Sequence, residues 1–430
     1  MKNTNRTLVS CIVFLVPSLY ASIGHATNGY FATGFGTANK SMTGAGVALP
    51  QSAMDTAINP ALMAHVGNRM DAGVALFMPV RGFTANQPAA GGGATPTIPV
   101  GTYEKDNDFF LVPHFGWNKM LDSERAIGLS IGGNGGMNTD YNIAVFQNFS
   151  SPGNTATSPT GIDMAQLFIG ANYAQKINAQ HTLGIAPILS VQRISIEGLQ
   201  PFKPYSAAPD AVTNNGYDYS YGGGLKLGWY WTPTDTFSVG ASYQSRLYMT
   251  AFDKYKGLFA DSGDFDIPPI IQAGIAFKPV QDVTVAMDVQ RIQFSQINAV
   301  GNNNGVAMMP GSIILGTKNG LGFGWDDMTI YKLGVQWQAN ADWTLRAGYS
   351  FANEVIPGQQ ALFNILAPAT VTQHVAVGAS WNFDANHSLN LSATHAFDKR
   401  INGSNPNTPT QTGSLDMYQN ELELSWSYRF

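Results

Sequence analysis

The chain has 430 residues, of which 12% are charged and 44% are hydrophobic, and its formal net charge is −5. This charged share is about half that of an average globular protein. The acidic balance argues against nucleic acid as a partner. Only one long apolar block is present, at residues 8–23, so the remaining apolar residues are dispersed along the chain.

A secretory signal peptide is predicted at residues 1–26. Two basic residues precede the apolar block, and small residues at 24–26 fit a signal-peptidase site. The mature chain is therefore expected to begin at Thr27. The only cysteine, Cys11, lies inside the predicted signal peptide, so we expect no disulfide bond and no thiol chemistry in the mature protein.

Residues 27–68 are rich in glycine and alanine and show no strand alternation. A helix is predicted to start at Ser52–Ala57 and to be interrupted at Asn59-Pro60, because proline disfavours helical backbone in the residue before it. This stretch is predicted to form a compact, irregular element.

From Arg69 to the C-terminus, apolar and polar residues alternate in segments bounded by turn residues. Such alternation is typical of a strand with one apolar face, in a soluble sheet as well as in a membrane barrel. Fourteen strands are predicted, starting near residues 69, 105, 122, 161, 181, 216, 235, 265, 282, 326, 342, 370, 387 and 415.

The links between these strands alternate between long and short. The short links are tight turns, and the long ones are rich in Gly, Pro and Asn and lie near residues 82–104, 137–160, 198–215, 253–264, 297–324, 357–369 and 401–414. Short periplasmic turns, long external loops and an even strand count are typical of bacterial outer-membrane barrels.

Seven of the eight tryptophans lie beside a short turn or the C-terminus, and only Trp325 lies at the end of a long link. An aromatic girdle at the periplasmic membrane interface explains this distribution. The chain ends on an alternating aromatic strand at Phe430, the terminus that outer-membrane barrels commonly present to the assembly machinery. Residues 69–430 are therefore predicted to form a 14-stranded antiparallel β-barrel, monomeric and embedded in the outer-membrane lipid of a Gram-negative bacterium.

Three of the long links contain apolar side chains where polar ones are expected. Exposed apolar clusters indicate a landing site for a hydrophobic ligand, and methionine adapts to varied ligand shapes. The alternative is that each group packs against its own barrel rim. The candidate residues for ligand capture are Leu258, Phe259, Met308, Met309, Leu362 and Phe363.

A glycine run interrupts the third predicted strand. Glycines inside a strand indicate a bulge, a kink or the close approach of another backbone. Alternatively, the strand ends and a loop begins at Gly132. The residues concerned are Gly132, Gly133, Asn134, Gly135 and Gly136.

Three stretches resemble the FadL/TodX family of outer-membrane channels for long-chain fatty acids and aromatic hydrocarbons. They are residues 34–46 with the Asn-Pro-Ala motif at Asn59, Pro60 and Ala61, residues 325–327 with 343–349, and residues 363–368. Together with the strand count and Phe430, the resemblance covers essentially the whole mature chain.

The resemblance implies that residues 27–68 form a hatch that plugs the lumen, with Asn59, Pro60 and Ala61 as its motif. Its first residues, Thr27, Asn28, Gly29, Tyr30 and Phe31, would reach toward the ligand pocket and gate it. An inward kink of the third strand would open a gap in the wall for sideways release into the bilayer.

A lumen enclosed by fourteen strands is too wide to be filled by side chains of the barrel alone. Inward polar residues are therefore expected to hydrogen-bond the hatch backbone, and Arg346 is one candidate for binding a ligand carboxylate. The other members of this predicted set are Lys332, Gln336, Glu421 and Glu423.

The predicted function is passive transport of hydrophobic small molecules, fatty acids or related hydrocarbons, across the outer membrane. We expect no enzyme activity, cofactor or metal. Three alternatives remain: a non-selective porin, an outer-membrane lipid hydrolase, which would need a catalytic cluster at one rim, and a purely structural or adhesive surface barrel.

Overall fold

The computed structural model describes residues 27–89, 96–105, 109–305, 309 and 311–430. The predicted signal peptide and Met308 lie outside the described residues. Within the described part of the chain, no helix has the length and apolar character needed to cross a membrane.

Fourteen antiparallel strands form a closed barrel, as the sequence predicts. Each strand pairs with the next in the chain, and the last pairs with the first from Arg69–Arg429 to Ala85–Gly413. The strands are β1 (Arg69–Ala85), β2 (Gly101–Lys105 and Phe110–Met120), β3 (Arg125–Tyr141), β4 (Thr160–Lys176), β5 (His181–Glu197), β6 (Asp218–Thr234), β7 (Phe237–Gln244 and Tyr248–Met249), β8 (Ile270–Val280), β9 (Val283–Ile292), β10 (Met328–Gln338), β11 (Trp343–Ala352), β12 (Gln373–Asn382), β13 (His387–Asn405) and β14 (Thr408–Arg429).

The predicted external loop at 401–414 is wrong. β13 and β14 stay paired as far as Asn405 and Thr408, so a two-residue turn replaces the loop. The glycine, asparagine and proline content of this stretch suggested a loop. However, Thr408, Thr410 and Thr412 are β-branched residues in alternation, and they favour extended backbone.

Strand alternation separates a lipid face from a lumen face. Aromatic residues near the short turns are exposed on the outside; Trp343 and Trp381 stack there with ring centroids 6.0 Å apart. The intervening residues face inward and are small or polar. Because apolar residues alternate with small or polar ones along each strand, the chain can span a membrane although residues 8–23 are its only long apolar block.

Residues 27–68, the N-terminal segment, are almost entirely buried and contact the inner face of the barrel. The segment contains two short paired strands (Thr27–Asn28 and Phe31–Ala32), an α-helical turn α1 (Thr37–Lys40) and two 3-10 helices (Ala53–Ala57 and Pro60–His65). The helix break predicted at Asn59-Pro60 is observed.

Glycines on the lumen face allow the N-terminal segment to approach the wall closely. A Cβ atom at Gly240 would lie 2.1 Å from the carbonyl oxygen of Val47, and one at Gly348 would lie 2.3 Å from the backbone of Met42. Both distances are too short for any side chain. The composition of the wall is therefore matched to the segment that it encloses.

Polar contacts fix the segment in place. Lys40 forms ion pairs with Glu421 (3.0 Å) and Glu423 (2.7 Å), and all three side chains are buried. Burial alone would lower the pKa of Lys40, but the two carboxylates raise it above its ordinary value. Lys332 Nζ donates to the carbonyl oxygen of Thr33 at 3.1 Å.

Two further members of the predicted inward set also lie near the segment. Gln336 accepts a hydrogen bond from Gln51 at 3.1 Å. Arg346 donates instead to Gln336 (2.9 Å) and to Ser380 (2.6 Å) on neighbouring strands. Four of the five predicted lumen residues thus contact the N-terminal segment directly, and Arg346 supports it through Gln336.

Candidate ligand-binding site

An apolar cavity lies where the start of the N-terminal segment meets the barrel wall. This inner cavity has about 450 Å³ of space not filled by protein atoms, part of it open to solvent. Aromatic rings and short apolar residues form most of its lining, with a few polar groups. The lining residues are Thr27, Gly29, Tyr30, Phe77, Pro79, Arg81, Phe110, Gly136, Met137, Asn138, Trp325, Ala367, Pro368, Ala369, Met417 and Gln419.

The first residues of the segment are held by one barrel side chain and by aromatic packing. Gln419 on β14 accepts from the backbone nitrogen of Thr27 and donates to its hydroxyl, both at 2.8 Å. The Tyr30 ring lies 5.3 Å from Phe294 and 5.7 Å from Trp325 between ring centroids. Of the five predicted gating residues, Thr27, Gly29 and Tyr30 therefore line the inner cavity.

β3 continues through its glycine run to Tyr141, so the alternative of a loop beginning at Gly132 is wrong. Its ladder with β2 ends at the His114–Gly132 pair, and its register with β4 shifts between Gly133 and Gly135. This register shift is a β-bulge, and Asn134 is its extra, unpaired residue.

The N-terminal segment approaches β3 at this bulge. Phe31 pairs with Gly135, whose φ of 144° favours glycine. A Cβ atom at Gly135 would lie 1.9 Å from the carbonyl oxygen of Tyr30. Close backbone approach is thus the reason for glycine at this position.

Arg81 on β1 is a cavity residue that the sequence reasoning missed. Its side chain is 1% exposed, and it donates to the carbonyl oxygen of Pro79 at 2.9 Å and to both oxygens of Asn138. The cation beside the cavity is therefore Arg81 rather than the predicted Arg346. An arginine at a lumen-facing strand position next to apolar residues was the signal that could have identified it.

The Asn-Pro-Ala motif joins the N-terminal segment to β5 and β6. Asn59 accepts from Ala61 N (3.1 Å), and its amide donates to the carbonyl oxygens of Val47 (2.8 Å) and Trp229 (3.0 Å). A Cβ atom at Gly228 would lie 2.1 Å from the Asn59 side-chain oxygen. The motif is thus a capped helix start that fits against strand glycine.

Of the predicted capture residues that the structure describes, all are buried except Met309, which is 68% exposed. Leu258, Phe259, Leu362 and Phe363 are each less than 9% exposed and belong to one apolar cluster. The expectation that these side chains are exposed is therefore wrong. Apolar residues from separate loops pack on one another because this removes them from water.

Two further cavities lie in this packed loop layer. Loop cavity I, about 390 Å³, is lined by Leu258, Phe259, Phe363 and Leu366 among others. Loop cavity II, about 370 Å³, is lined by Phe83, Ile98, Leu362 and Ile365 among others. Both linings are predominantly apolar, so both suit a hydrophobic molecule.

The loops also contain a cluster of charged groups. Arg246 contacts Asp264 (3.3 Å) and Asp266 (2.5 Å). Burial and the neighbouring Asp266 carboxylate raise the pKa of Asp264 to about 6. Over the described residues, no group of three or more His, Cys, Asp or Glu side chains is placed to hold a metal ion.

A closed barrel with an aromatic-rimmed lipid face is typical of an outer-membrane protein, and in this chain the N-terminal segment occupies the lumen. The model of the family "Outer membrane protein transport protein (OMPP1/FadL/TodX)" matches residues 23–425. The chain belongs to this family. Its members are transport channels for hydrophobic compounds in the Gram-negative outer membrane, not enzymes.

Solved structures show the same fold. The Pseudomonas putida toluene transporter TodX is 17% identical, with a TM-score of 0.66 over 93% of this chain and 99% of that chain. A Pseudomonas aeruginosa FadL homologue is 14% identical, with a TM-score of 0.66 over 94% and 100%. The Ralstonia pickettii toluene transporter TbuX is 17% identical, with a TM-score of 0.60 over 93% and 99%. The comparison with curated proteins returns no match.

Proposed function

We propose that the protein carries small uncharged hydrocarbons, aromatic ones in particular, through the outer membrane by passive diffusion. The inner cavity supports this proposal, because Tyr30, Phe77, Phe110 and Trp325 contribute four aromatic side chains to its lining. Two of the structures with the same fold are of toluene transporters. Apolar contacts contribute about 25 cal/mol per Å² buried, enough for reversible binding of a small ligand.

The hydrogen bonds that Arg81 already makes favour a hydrocarbon ligand over a fatty acid. Its guanidinium already donates to Asn138 and Pro79. A carboxylate that took these N–H groups would displace buried oxygens, and a buried carbonyl without a donor costs about 1–3 kcal/mol. An uncharged ligand leaves the contacts of Arg81 intact.

In this proposal, residues 27–68 are the hatch, and residues 69–430 are the channel. The ligand is captured by the apolar loop residues, Leu258, Phe259, Met308, Met309, Leu362 and Phe363. It then enters the inner cavity, where a shift of residues 27–31 releases it. The exit is sideways, at the bulge of β3, because the cavity reaches Gly136 and the β2–β3 ladder ends at Gly132.

In the same proposal, the protein acts as a monomer, and Phe430 contacts the barrel assembly machinery. Phe430 is 44% exposed, and its ring is 5.9 Å from that of Tyr428. An exposed aromatic end of the closing strand is available to a partner.

Uptake by cells that lack other hydrocarbon channels tests the proposal. With the protein, uptake of radiolabelled toluene should rise well above that of an empty-vector control, while uptake of radiolabelled oleate should rise little. Stronger uptake of oleate than of toluene would show that the ligand is a fatty acid and not a hydrocarbon. No increase with either compound would overturn the proposed function.

Deletion of residues 27–31 tests the role of the hatch start. Because this segment forms one wall of the inner cavity, the deletion should lower toluene uptake while barrel assembly, followed by heat-modifiable gel migration, stays normal. Steady ion conductance of the intact protein in a planar bilayer would favour the alternative of a non-selective porin.

A further inference from the structure

One loop segment, residues 361–369, lines all three cavities. It begins with a helical turn, α2 (Ala361–Asn364). Leu362 and Ile365 line loop cavity II, whereas Phe363 and Leu366 line loop cavity I. Residues three apart share a face of a helical turn, so the two pairs point to different sides.

The end of the same segment reaches the inner cavity. Ala367, Pro368 and Ala369 lie in its lining, next to Trp325. Segment 361–369 therefore borders the inner cavity as well as the two loop cavities, so a shift of this segment would change all three.

Asn364 ties the segment to the cavity wall. Its side chain is fully buried; the amide nitrogen donates to the carbonyl oxygens of Phe323 (2.6 Å) and Gln360 (2.7 Å), and the amide oxygen accepts from Trp325 Nε1 (2.6 Å). A buried polar side chain that is fully satisfied specifies one arrangement of its surroundings. Asn364 sits among apolar residues, so its hydrogen bonds decide where the segment lies.

A second hydrogen bond ties the segment to β3. The hydroxyl of Thr139 donates to the carbonyl oxygen of Leu366 at 2.8 Å. Thr139 directly follows Asn138, which lines the inner cavity and is held by Arg81. The position of the segment is thus coupled to the strand that carries the bulge.

We propose that segment 361–369 is a movable partition between the loop cavities and the inner cavity, and that Asn364 is its latch. A hydrophobic molecule competes with the apolar contacts of Phe363 and Leu366, while the hydrogen bonds of Asn364 return the partition to its closed position. Asn364 is a positioning residue: it acts through Trp325 and the segment backbone. The transport role of the partition rests on the proposed function.

Thiol labelling in the inner cavity tests the partition without measuring transport. Met417 lines the inner cavity and is 9% exposed, so Met417→Cys places a reporter there. N-ethylmaleimide is added to whole cells, and the parent protein gives the background. Adding Asn364→Ala to the reporter removes all three hydrogen bonds of the Asn364 side chain. The labelling rate should therefore rise about tenfold, which corresponds to about 1.4 kcal/mol on an opening equilibrium.

Asn304→Ala is the matched control. Asn304 is also fully buried in the loops and donates to the same carbonyl oxygen, that of Phe323, at 2.8 Å. Its side-chain amide does not bond to segment 361–369 in the described structure. This control should change the labelling rate less than about twofold, which corresponds to well under 1 kcal/mol.

Trp325→Phe gives a second, milder test that does not depend on the folding of the Asn364 variant. It removes the indole donor to Asn364 and keeps an aromatic ring beside Tyr30, so labelling should rise several-fold. Unchanged labelling in both the Asn364 and Trp325 variants, or an equal rise with Asn304→Ala, would overturn the partition. A labelling difference in a protein without toluene uptake would refute the proposed function and leave the partition in place.

Discussion

Arg81 on β1 binds Asn138 on β3 across the strand that lies between them. Its Nε and Nη2 groups donate to the backbone and side-chain oxygens of Asn138. Beyond the His114–Gly132 pair, the described residues contain no ladder between β2 and β3. The guanidinium of Arg81 therefore connects β1 to β3 at the point where we place the exit. Elsewhere in the barrel, backbone pairing makes the connections between strands.

Replacing Arg81 by methionine should loosen residues 134–141 of β3. The buried oxygens of Asn138 lose a charged donor, which costs about 1.5–3 kcal/mol. Hydrogen exchange of the amides at 134–141, followed by mass spectrometry, should accelerate accordingly. Arg291→Met is the control, because Arg291 forms an exposed ion pair with Asp327 at 2.9 Å. Unchanged exchange at 134–141 would contradict the bridging role of Arg81.

A methyl group at Gly135 should displace the start of the N-terminal segment. The alanine Cβ would lie 1.9 Å from the Tyr30 carbonyl oxygen, and the backbone φ of 144° adds about 1–3 kcal/mol of strain. Gly135→Ala is expected to lower toluene uptake and to make residues 27–32 sensitive to added protease. Gly132→Ala is the matched control, because its Cβ would meet Met54 Cε at an ordinary 3.5 Å. Equal effects of the two substitutions would argue against the Phe31–Gly135 contact as the cause.

Lys40→Met should release the hatch from β14. The substitution leaves the buried carboxylates of Glu421 and Glu423 without their lysine, and breaking such a pair costs about 3–5 kcal/mol. A loosened N-terminal segment would admit water to the lumen, so ion-conductance events should appear in planar bilayers. The triple variant K40M/E421Q/E423Q removes the buried charges together and should conduct less often than Lys40→Met. If the triple variant conducted more, charge pairing would not be what holds the hatch.

Around Asp55, the N-terminal segment should be held more firmly at pH 5 than at pH 8. Burial raises the pKa of Asp55 to about 7. Its ordinary value in the unfolded chain is 3.8, so the folded form binds the proton more tightly. The stability from this group is complete below about pH 4 and is lost as the pH rises through about 7, by on the order of 1 kcal/mol per pH unit.

Hydrogen exchange of the amides at 51–57, corrected for the intrinsic pH dependence of exchange, measures this effect. Protection should fall between pH 5 and pH 8. In the Asp55→Asn variant, which cannot ionise, protection should be nearly constant over the same range. A rise in protection with pH in the unaltered protein would show that the ionised form is the one that the hatch prefers.

The sequence alone determined the barrel, because the features that specify it are local. Alternation of side chains, turn residues and the aromatic end at Phe430 can each be read within one strand and its links. The resemblance of residues 34–46 and of Asn59-Pro60-Ala61 identified the family that the family model then matched over residues 23–425.

Only the tertiary structure decided which side chains meet. Arg81 and Asn138 are 57 residues apart, and Thr139 and Leu366 are 227 apart, so no local pattern pairs them. From the sequence, the apolar loop residues are predicted to be exposed, because no single loop encodes its burial by residues of other loops. The strand extension at Thr408–Gly413 was missed for a similar reason: pairing with β13 stabilises extended backbone that its proline and glycine content would not maintain alone.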